Sequence, residues 1–193
     1  MAENDPITRF VEWFEKAKAS EPNLPNAVSL ATVGADAQPS LRMVLLKHVD
    51  DQGFVFYTNL ESRKGVELAA NPRAALLFHW KSLKRQVRIE GPAEAVSDAE
   101  ADAYFASRDR GAQLGAWASD QSRPMAGRFD LEKRVAKFTA QFGIGTVQRP
   151  PFWSGYRIAP RRMEFWSEGK FRLHEREQFV RDGAEWRVER LFP

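Results

Sequence analysis

Three basic or titratable side chains alternate near the C-terminus, Arg172, His174 and Arg176, in the run that begins at Phe171. On a β-strand this spacing directs all three side chains to one face of the sheet. Two guanidinium groups and an imidazole on one face repel one another unless an anionic or electron-rich ligand lies over them. The run therefore indicates a site for a phosphorylated aromatic molecule. The alternative is a solvated polar face on an edge strand.

A second group of polar side chains lies where a predicted strand gives way to a predicted helix. Tyr57 and Thr58 close the strand, and Ser62, Arg63 and Lys64 open the helix. The free N–H groups and the dipole of a helix N-terminus favour an anion. Basic residues in the first turn oppose that dipole, so they cost stability unless an anion is present. We interpret this run as a phosphate site, the alternative being a capped surface helix with incidental charge.

Two cations bracket an apolar stretch in an earlier predicted strand. Arg42 and Lys47 flank the apolar residues Met43, Val44, Leu45 and Leu46. Because positions five apart lie on opposite faces of a regular strand, both cations reach one ligand only if the strand bulges or the ligand wraps its end. The alternative is a core strand with charged ends.

Four further residues carry side chains suited to a planar, phosphorylated ligand. Tyr104 and Arg108 share one face of a predicted helix, where they could hold a second phosphate. Gln86 offers a donor and an acceptor to a heterocycle edge, and Trp166 offers an indole edge to a planar ring. The alternatives are a tyrosine packed on an arginine stem and ordinary strand residues.

Turn signals and apolar periodicity predict the elements that position these groups. Short strands are predicted at residues 26–33, 40–49, 54–58, 74–80, 85–96, 153–158, 163–166, 170–180 and 185–191. Helices are predicted at about 5–20, 62–70, 97–107 and 129–142, with a helical turn at 111–119. Short strands joined by turns, with helices as inserts, favour a closed antiparallel barrel over a doubly wound parallel sheet. We expect residues 1–193 to form a single domain.

Composition excludes several classes of protein. The chain has 193 residues, no cysteine and a formal net charge of +3, so disulfides, thiolate metal sites and cysteine nucleophiles are excluded and no metal is expected. The charge is too small to indicate nucleic acid. No window reaches the roughly 18 apolar residues of a membrane span, and the N-terminus has no signal-peptide pattern. We therefore expect a cytoplasmic protein without membrane or nucleic-acid partners.

The separate runs form one ordered set. They are Arg42 to Lys47, Tyr57-Thr58 with Ser62-Arg63-Lys64, Gln86-Val87-Arg88, Gln121-Ser122, Phe165-Trp166 and Arg172-Leu173-His174. In order and approximate spacing they resemble the pyridoxamine 5'-phosphate oxidase family. The terminal Arg190-Leu191-Phe192-Pro193 fits as well, and the resemblance runs from about Asp5 to Pro193.

The resemblance implies a mainly β fold, the FMN-binding split barrel, antiparallel and Greek-key-like with flanking helices. It implies a homodimer that holds two FMN molecules in clefts between subunits, with dimerisation and substrate-binding strands at about 153–193 in the same unit. The implied activity is oxidation of pyridoxamine or pyridoxine 5'-phosphate to pyridoxal 5'-phosphate, with oxygen reduced to hydrogen peroxide.

The resemblance also assigns residues to FMN and to the substrate. The implied FMN contacts are Arg42, Met43, Val44, Leu45, Leu46, Lys47, Tyr57, Thr58, Ser62, Arg63, Lys64, Gln86, Gln121, Ser122, Trp166 and Arg176. The implied substrate contacts are Lys47, Tyr104, Arg108, Arg172 and His174.

Our hypothesis divides the cations between two phosphates. Arg42, Arg63 and Lys64 would hold that of FMN, and Lys47, Tyr104 and Arg108 would hold that of the substrate. The catalytic pair Arg172 and His174 would press the pyridine ring against the flavin, so that a hydride equivalent passes from C4' to flavin N5. His174 is the best candidate for a general base because an imidazole side chain can both accept and release a proton.

Two departures from the family pattern and two alternatives remain. Ala112 stands where the family usually has a serine on the substrate phosphate. The chain begins close to its first helix, whereas longer relatives have a further basic and aromatic segment that can cover the site, so closure is expected to differ. The alternatives are an FMN- or pyridoxal-phosphate-binding protein without turnover, and a nicotinamide- or deazaflavin-linked reductase on the same barrel.

Overall fold

The computed structural model describes residues 5–193. The first helix, α1 (Pro6–Ser20), begins where the sequence predicts. The Asp5 carboxylate accepts hydrogen bonds from the N–H groups of Ile7 and Thr8 at 3.3 and 3.0 Å, and Pro6 occupies the first helical position. A capping carboxylate followed by proline satisfies the free N–H groups of the first turn.

The predicted elements are confirmed with small shifts, apart from two strands. The later helices are α2 (Arg63–Ala70), α3 (Asp98–Ser107), α4 (Arg110–Ala118) and α5 (Asp130–Phe142). The strands are β1 (Ala27–Val33), β2 (Pro39–Leu45), β3 (His48–Asp50), β4 (Gly53–Asn59), β5 (Arg73–Trp80), β6 (Arg85–Ala95), β7 (Trp153–Ile158), β8 (Arg162–Ser167), β9 (Glu175–Asp182) and β10 (Glu185–Arg190). The helical turn predicted at 111–119 is a full helix.

The ten strands of the described residues pair antiparallel throughout, which confirms the mainly β, antiparallel prediction. One ladder runs β10-β9-β8-β6-β5-β1-β2. The C-terminal end of β6 pairs with β7, β7 pairs with β4, and β4 pairs with β3. Within residues 5–193 no ladder joins β2 to β4, so the barrel is split along that line rather than closed.

Helix α1 covers the core of the barrel with aromatic side chains. Phe10 is fully buried, and its ring centroid lies 4.8 Å from that of Phe54 and 5.1 Å from that of Phe78. Trp13 meets the edge of Phe165 at 5.2 Å. Rings in such edge and tilted contacts bury large apolar areas. A smaller cluster at Phe105, Leu114, Val147 and Trp153 holds α3 and α4 against the start of β7.

The predicted strand at 40–49 is wrong as a single strand, because it divides into β2 and β3. Leu46 donates its N–H to Asn26 O at 2.9 Å, whereas Lys47 donates to Val55 O at 2.8 Å. Successive N–H groups therefore pair with different parts of the barrel. The chain changes sheets at this point, which is why Arg42 and Lys47 can approach the same gap.

The predicted strand at 170–180 is also wrong at its start, because β9 begins only at Glu175. Residues Lys170–Arg172 form a 3₁₀ turn in which Phe171 and Arg172 have φ of 56° and 64°. The turn closes tightly, since a Cβ on Gly169 would lie 1.7 Å from the Leu173 carbonyl oxygen. The strand alternation assumed for Arg172, His174 and Arg176 therefore does not hold.

We expect Gly91→Ala to destabilise the fold by about 3 kcal/mol. Gly91 lies in β6 at the bend between its two sets of partners, and an added Cβ would lie 1.9 Å from the Ala159 carbonyl oxygen. Urea denaturation gives the measurement. Gly115→Ala is the control, because its Cβ meets nothing within 4 Å in α4 and alanine favours a helix. A loss below about 1 kcal/mol for Gly91→Ala would contradict this role of the bend.

Candidate active site

Two adjoining cavities open at the split between β2 and β4, beside α2, α3 and α4. Their volumes are about 630 and 740 Å³, and Met43 and Lys64 line both. The predicted site residues that line them are Arg42, Met43, Val44, Leu45, Lys47, Tyr57, Thr58, Arg63, Lys64, Tyr104, Arg108, Gln121 and Ser122. Within the predicted runs at 42–47 and 57–64, two site residues line neither cavity: Leu46 lies in the core, and buried Ser62 caps α2.

Lys64 is a buried cation held by neutral groups. Its side-chain amine donates to Gln121 Oε1 at 2.7 Å, to Thr58 Oγ1 at 2.9 Å and to Ser62 Oγ at 3.1 Å. Its residue is only 9% exposed. Burial, with the nearby Arg42 charge, lowers the pKa of Lys64 to about 8. The amine is thus aimed and desolvated but has no carboxylate partner among these hydrogen bonds, which suits an anionic ligand.

A buried carboxylate orients the two arginines beside Lys64. Glu67 accepts from Arg42 Nη2 at 3.1 Å and from Arg63 Nε at 2.8 Å, and also from the hydroxyls of Thr32 and Ser40, both at 2.5 Å. Burial by itself raises the pKa of Glu67, but the hydrogen bonds from Ser40, Thr32 and Arg63, and the Arg42 charge, bring it to about 2. Glu67 therefore stays ionised and fixes both guanidinium groups at the cavity edge.

Arg42 is more deeply engaged than the sequence predicts. Its guanidinium donates to the hydroxyls of Thr32 and Ser40 as well as to Glu67 and to Leu30 O at 3.3 Å. Its side chain is one-fifth exposed, against 61% for Arg63. Arg63 and Lys64 are therefore the more accessible donors, with Arg42 behind them.

Arg108 projects a desolvated charge into the second cavity. Its Nη1 atom is buried and has no hydrogen-bond partner in the described chain. Its guanidinium carbon lies 4.8 Å from the ring centroid of Trp153, and burial lowers the pKa of Arg108. A buried donor without a partner is rare and costly, so this nitrogen is suited to donate to an anionic ligand.

Aromatic rings support the same cavity. Tyr104 stacks on Tyr57 with centroids 3.9 Å apart and planes 14° apart, and Tyr57 in turn lies parallel to Trp153 at 5.4 Å. Lys47 Nζ lies 5.8 Å from the Tyr104 ring. Burial, with the Glu100 charge, raises the pKa of Tyr57 to about 12, so its hydroxyl stays protonated. The predicted set Lys47, Tyr104 and Arg108 is thus brought together.

A second group of predicted residues lies on or next to the part of the sheet formed by β6, β8 and β9. Gln86, Trp166 and Arg176 face one another across β6, β8 and β9, in a row on one face of the sheet. The His174 ring packs on Trp166 at 4.7 Å, and His174 Nδ1 accepts from Gly169 N–H at 3.3 Å. In a neutral imidazole the proton then lies on Nε2. Exposed Arg172 follows the strained Phe171.

The structure therefore divides the predicted site into two parts. Gln86, Trp166, Arg172, His174 and Arg176 line neither of the two cavities at the split. His174 and Arg176 instead line a third cavity of about 380 Å³. Arg176 is further tied to Glu164 through Nε at 2.8 Å. One described chain does not assemble the whole predicted set around one ligand.

Two important side chains escaped sequence reasoning. Glu67 stands four positions after Arg63 on α2, a spacing that predicts an ion pair and could have identified it. Trp153 supports Arg108 from a strand 45 positions later in the sequence. Because the two residues are far apart in the sequence, no local sequence pattern predicts their contact.

None of the helices described is long and apolar enough to cross a membrane. Within residues 5–193 there is also no group of three or more His, Cys, Asp or Glu side chains placed to hold a metal ion.

The stability of the protein without bound ligand should rise with pH through the titration of Lys64. The pKa of Lys64 is about 8 in the folded chain and 10.5, the ordinary lysine value, in the unfolded chain, so the folded state binds fewer protons between these values. From about pH 8 to pH 10 the free energy of unfolding should gain about 2 kcal/mol from this group. Urea denaturation over a pH series measures it, with Lys64→Met as the control that lacks the gain. An identical pH dependence in both proteins would exclude the effect.

Comparison with known proteins identifies the family of the chain. The family model described as pyridoxamine 5'-phosphate oxidase matches residues 14–142, and that described as the pyridoxine 5'-phosphate oxidase C-terminal dimerisation region matches residues 153–193. The chain is 59% identical to the pyridoxine/pyridoxamine 5'-phosphate oxidase of Rhodospirillum rubrum, over all of this chain and 98% of that protein. It is 60% identical to the Caulobacter vibrioides protein of the same name, over all of this chain and 87% of that one.

Solved structures agree. PhzG from Burkholderia lata 383, in complex with tetrahydrophenazine-1-carboxylic acid, is 34% identical with a TM-score of 0.92, over 98% of this chain and 93% of that one. A pyridoxamine 5'-phosphate oxidase-related, FMN-binding protein from Nostoc punctiforme has a TM-score of 0.79 over the full length of both chains. At 14% identity the latter shows the fold alone. The chain therefore belongs to the pyridoxamine 5'-phosphate oxidase family of oxidoreductases.

Proposed function

We propose that the protein is an FMN-dependent oxidase of pyridoxamine and pyridoxine 5'-phosphates, forming pyridoxal 5'-phosphate. The alcohol and one oxygen molecule give the aldehyde and hydrogen peroxide; the amine also consumes water and releases ammonia. The observation that carries this proposal is the pair of adjoining cavities lined by Arg42, Lys47, Arg63, Lys64 and Arg108. Such a concentration of cations suits two phosphates placed close together.

The residues of the first cavity fit the phosphate of FMN. Arg63 and Lys64 stand in the first turn of α2, where N–H groups and the helix dipole favour an anion. Ser122 lines this cavity and Gln121 holds Lys64. Bound FMN would supply the redox chemistry, accepting two electrons from the substrate and passing them to oxygen.

The residues of the second cavity fit the substrate phosphate. Arg108 presents a buried, unpartnered Nη1 there, and Tyr104 and Lys47 lie beside it. A phosphate oxygen would satisfy that nitrogen with a charge-assisted hydrogen bond. The chain would thereby anchor the substrate by one end and leave its ring free to stack.

We propose that residues 1–193 act as one unit in a homodimer, and that the second group of site residues serves the partner's cavities. The matched dimerisation region includes Trp166, Arg172, His174 and Arg176. A face of the sheet also exposes Met43 (60%) and Leu77 (38%), which both pair with Ser29. Exposed apolar side chains on one face suit a subunit contact.

In this arrangement Gln86, Trp166 and Arg176 would contact the flavin, and Arg172 and His174 would hold the substrate ring. His174 would donate its Nε2–H to the substrate, because Nδ1 already accepts from Gly169 N–H. With Nδ1 engaged and the proton on Nε2, the ring would act as a hydrogen-bond donor to the substrate rather than as a general base. A cytoplasmic location, expected from the sequence, belongs to the same proposal.

The direct test is to purify the protein with FMN and add either substrate in air. We expect yellow protein, oxygen uptake and one peroxide for each pyridoxal 5'-phosphate formed. Flavin that binds but is not reduced by either substrate would favour a non-catalytic binding protein. Rapid flavin reduction by a nicotinamide or deazaflavin donor instead would favour a reductase.

Arg172→Leu should separate the two roles. Because Arg172 is assigned to the substrate ring and lies away from Lys64 and Arg63, we expect flavin reduction to slow about 100-fold while FMN retention changes little. Stopped-flow absorbance and flavin fluorescence measure the two quantities. Equal loss of both would contradict the division of labour.

Ala112→Ser should strengthen substrate binding. Ala112 lines the second cavity with Arg108, and its N–H donates to Asp109 at 2.9 Å. A hydroxyl there could add a hydrogen bond to phosphate of about 1.5 kcal/mol, which would lower KM about tenfold. Steady-state kinetics measure it, and Ala103→Ser is the control, because Ala103 is exposed on α3 and does not line either cavity. An unchanged KM would show that the hydroxyl does not reach the phosphate.

A further inference from the structure

We propose that Arg149 is a positioning residue that sets the pose of Arg108 through Trp153. Arg149 lies in the segment between α5 and β7, outside the residues that line the two cavities. The inference rests on the proposed function and adds to it a residue that governs the selectivity for a phosphorylated substrate.

Arg149 ties α3 to the start of β7 with three hydrogen bonds. Its Nε donates to Asp102 at 2.5 Å and its Nη2 to Asp98 at 2.7 Å, both on α3. Its Nη1 donates to the carbonyl oxygen of Trp153 at 2.8 Å. The side chain is only 13% exposed. A planar guanidinium with its donors fixed in three directions defines the distance and angle between the two elements.

Trp153 is the surface on which the phosphate-binding pair rests. Its ring lies 4.8 Å from the Arg108 guanidinium carbon and parallel to the rings of Tyr57 and Tyr104, within 7° of each. No hydrogen bond fixes Arg108 Nη1 in the described chain. The direction of this charge therefore depends on stacking over Trp153.

These contacts link Arg149 to Arg108 through Trp153. Arg149 fixes the Trp153 backbone against the helix that carries Tyr104, and Arg108 caps the end of that same helix. If Arg149 is lost, α3 and Trp153 can shift relative to each other, and the guanidinium no longer points at one position. The loss of Arg149 should therefore weaken binding of the substrate's phosphate group and leave binding of its ring unchanged.

The test compares Arg149→Gln with a matched variant, Arg157→Gln. Arg157 is similarly buried, at 12%, and also holds α3, through Glu100 at 3.1 Å. Its other partner is Asp50 of β3 at 2.6 Å, and its hydrogen bonds do not include Trp153 O. For Arg149→Gln we expect KM for pyridoxine 5'-phosphate to rise about tenfold with kcat changed less than about twofold. The Kd of pyridoxal 5'-phosphate should rise by the same factor, while that of unphosphorylated pyridoxal should not change.

Arg157→Gln should leave the KM and Kd values near those of the parent, although it lowers thermal stability. Arg149→Lys, which can keep one ion pair but not all three contacts, should give an intermediate KM. The inference is overturned if Arg149→Gln leaves the Kd of pyridoxal 5'-phosphate unchanged. It is also overturned if Arg157→Gln raises that Kd equally, or if the binding of pyridoxal weakens as much.

The binding measurements separate this inference from the proposed function. If the parent protein binds pyridoxal 5'-phosphate but does not oxidise its precursors, the proposed function fails. A phosphate-selective loss of binding in Arg149→Gln would then still support the positioning role.

Discussion

Positive charge withdrawn from water is the constraint on which the rest of this structure depends. Lys64 is buried among neutral oxygens, and Arg108 keeps a buried nitrogen without a partner in the described chain. Both arrangements cost free energy in the protein alone. An anion at each position removes that cost, so the site is less stable than a neutral one until its ligands bind. The buried cations that suit the site for anions lower the stability of the ligand-free protein, and the remaining contacts of the fold must offset that loss.

The split barrel provides that support by leaving a gap in a sheet that is otherwise continuous. The chain passes from one set of partners to another at Leu46 and Lys47, and β6 does the same near Gly91. Cations from β2, α2 and α3 therefore meet at a place where no strand ladder fills the space. Glu67 orients the arginines at one end, and Trp153 supports Arg108 at the other. The aromatic core under α1 keeps these elements in place.

Local chemistry explains what could be predicted from the sequence. Ser62 caps α2, and Arg63 and Lys64 follow in its first turn, because capping depends only on neighbouring residues. The turn at Phe171 and Arg172 is not predictable from the sequence, because two successive left-handed residues other than glycine have no sequence signature. The only local signal is Gly169, whose close approach to Leu173 O requires a residue without a Cβ. The contacts of Arg149 and Trp153 join distant segments. The sequence likewise does not predict that Gln86 and Trp166 lie apart from the cavities, since this depends on which side of the sheet faces the gap.

The most direct measurement of the central claim is proton uptake when FMN binds to the FMN-free protein. At pH 8 about half of the Lys64 side chains should be neutral, since their pKa is about 8, and the flavin phosphate should be almost fully ionised. Calorimetric titration in two buffers of different ionisation enthalpy should show uptake of about half a proton for each FMN bound, and almost none for Lys64→Met. No uptake in the parent protein, or equal uptake in both, would contradict the claim that this buried cation holds the cofactor phosphate.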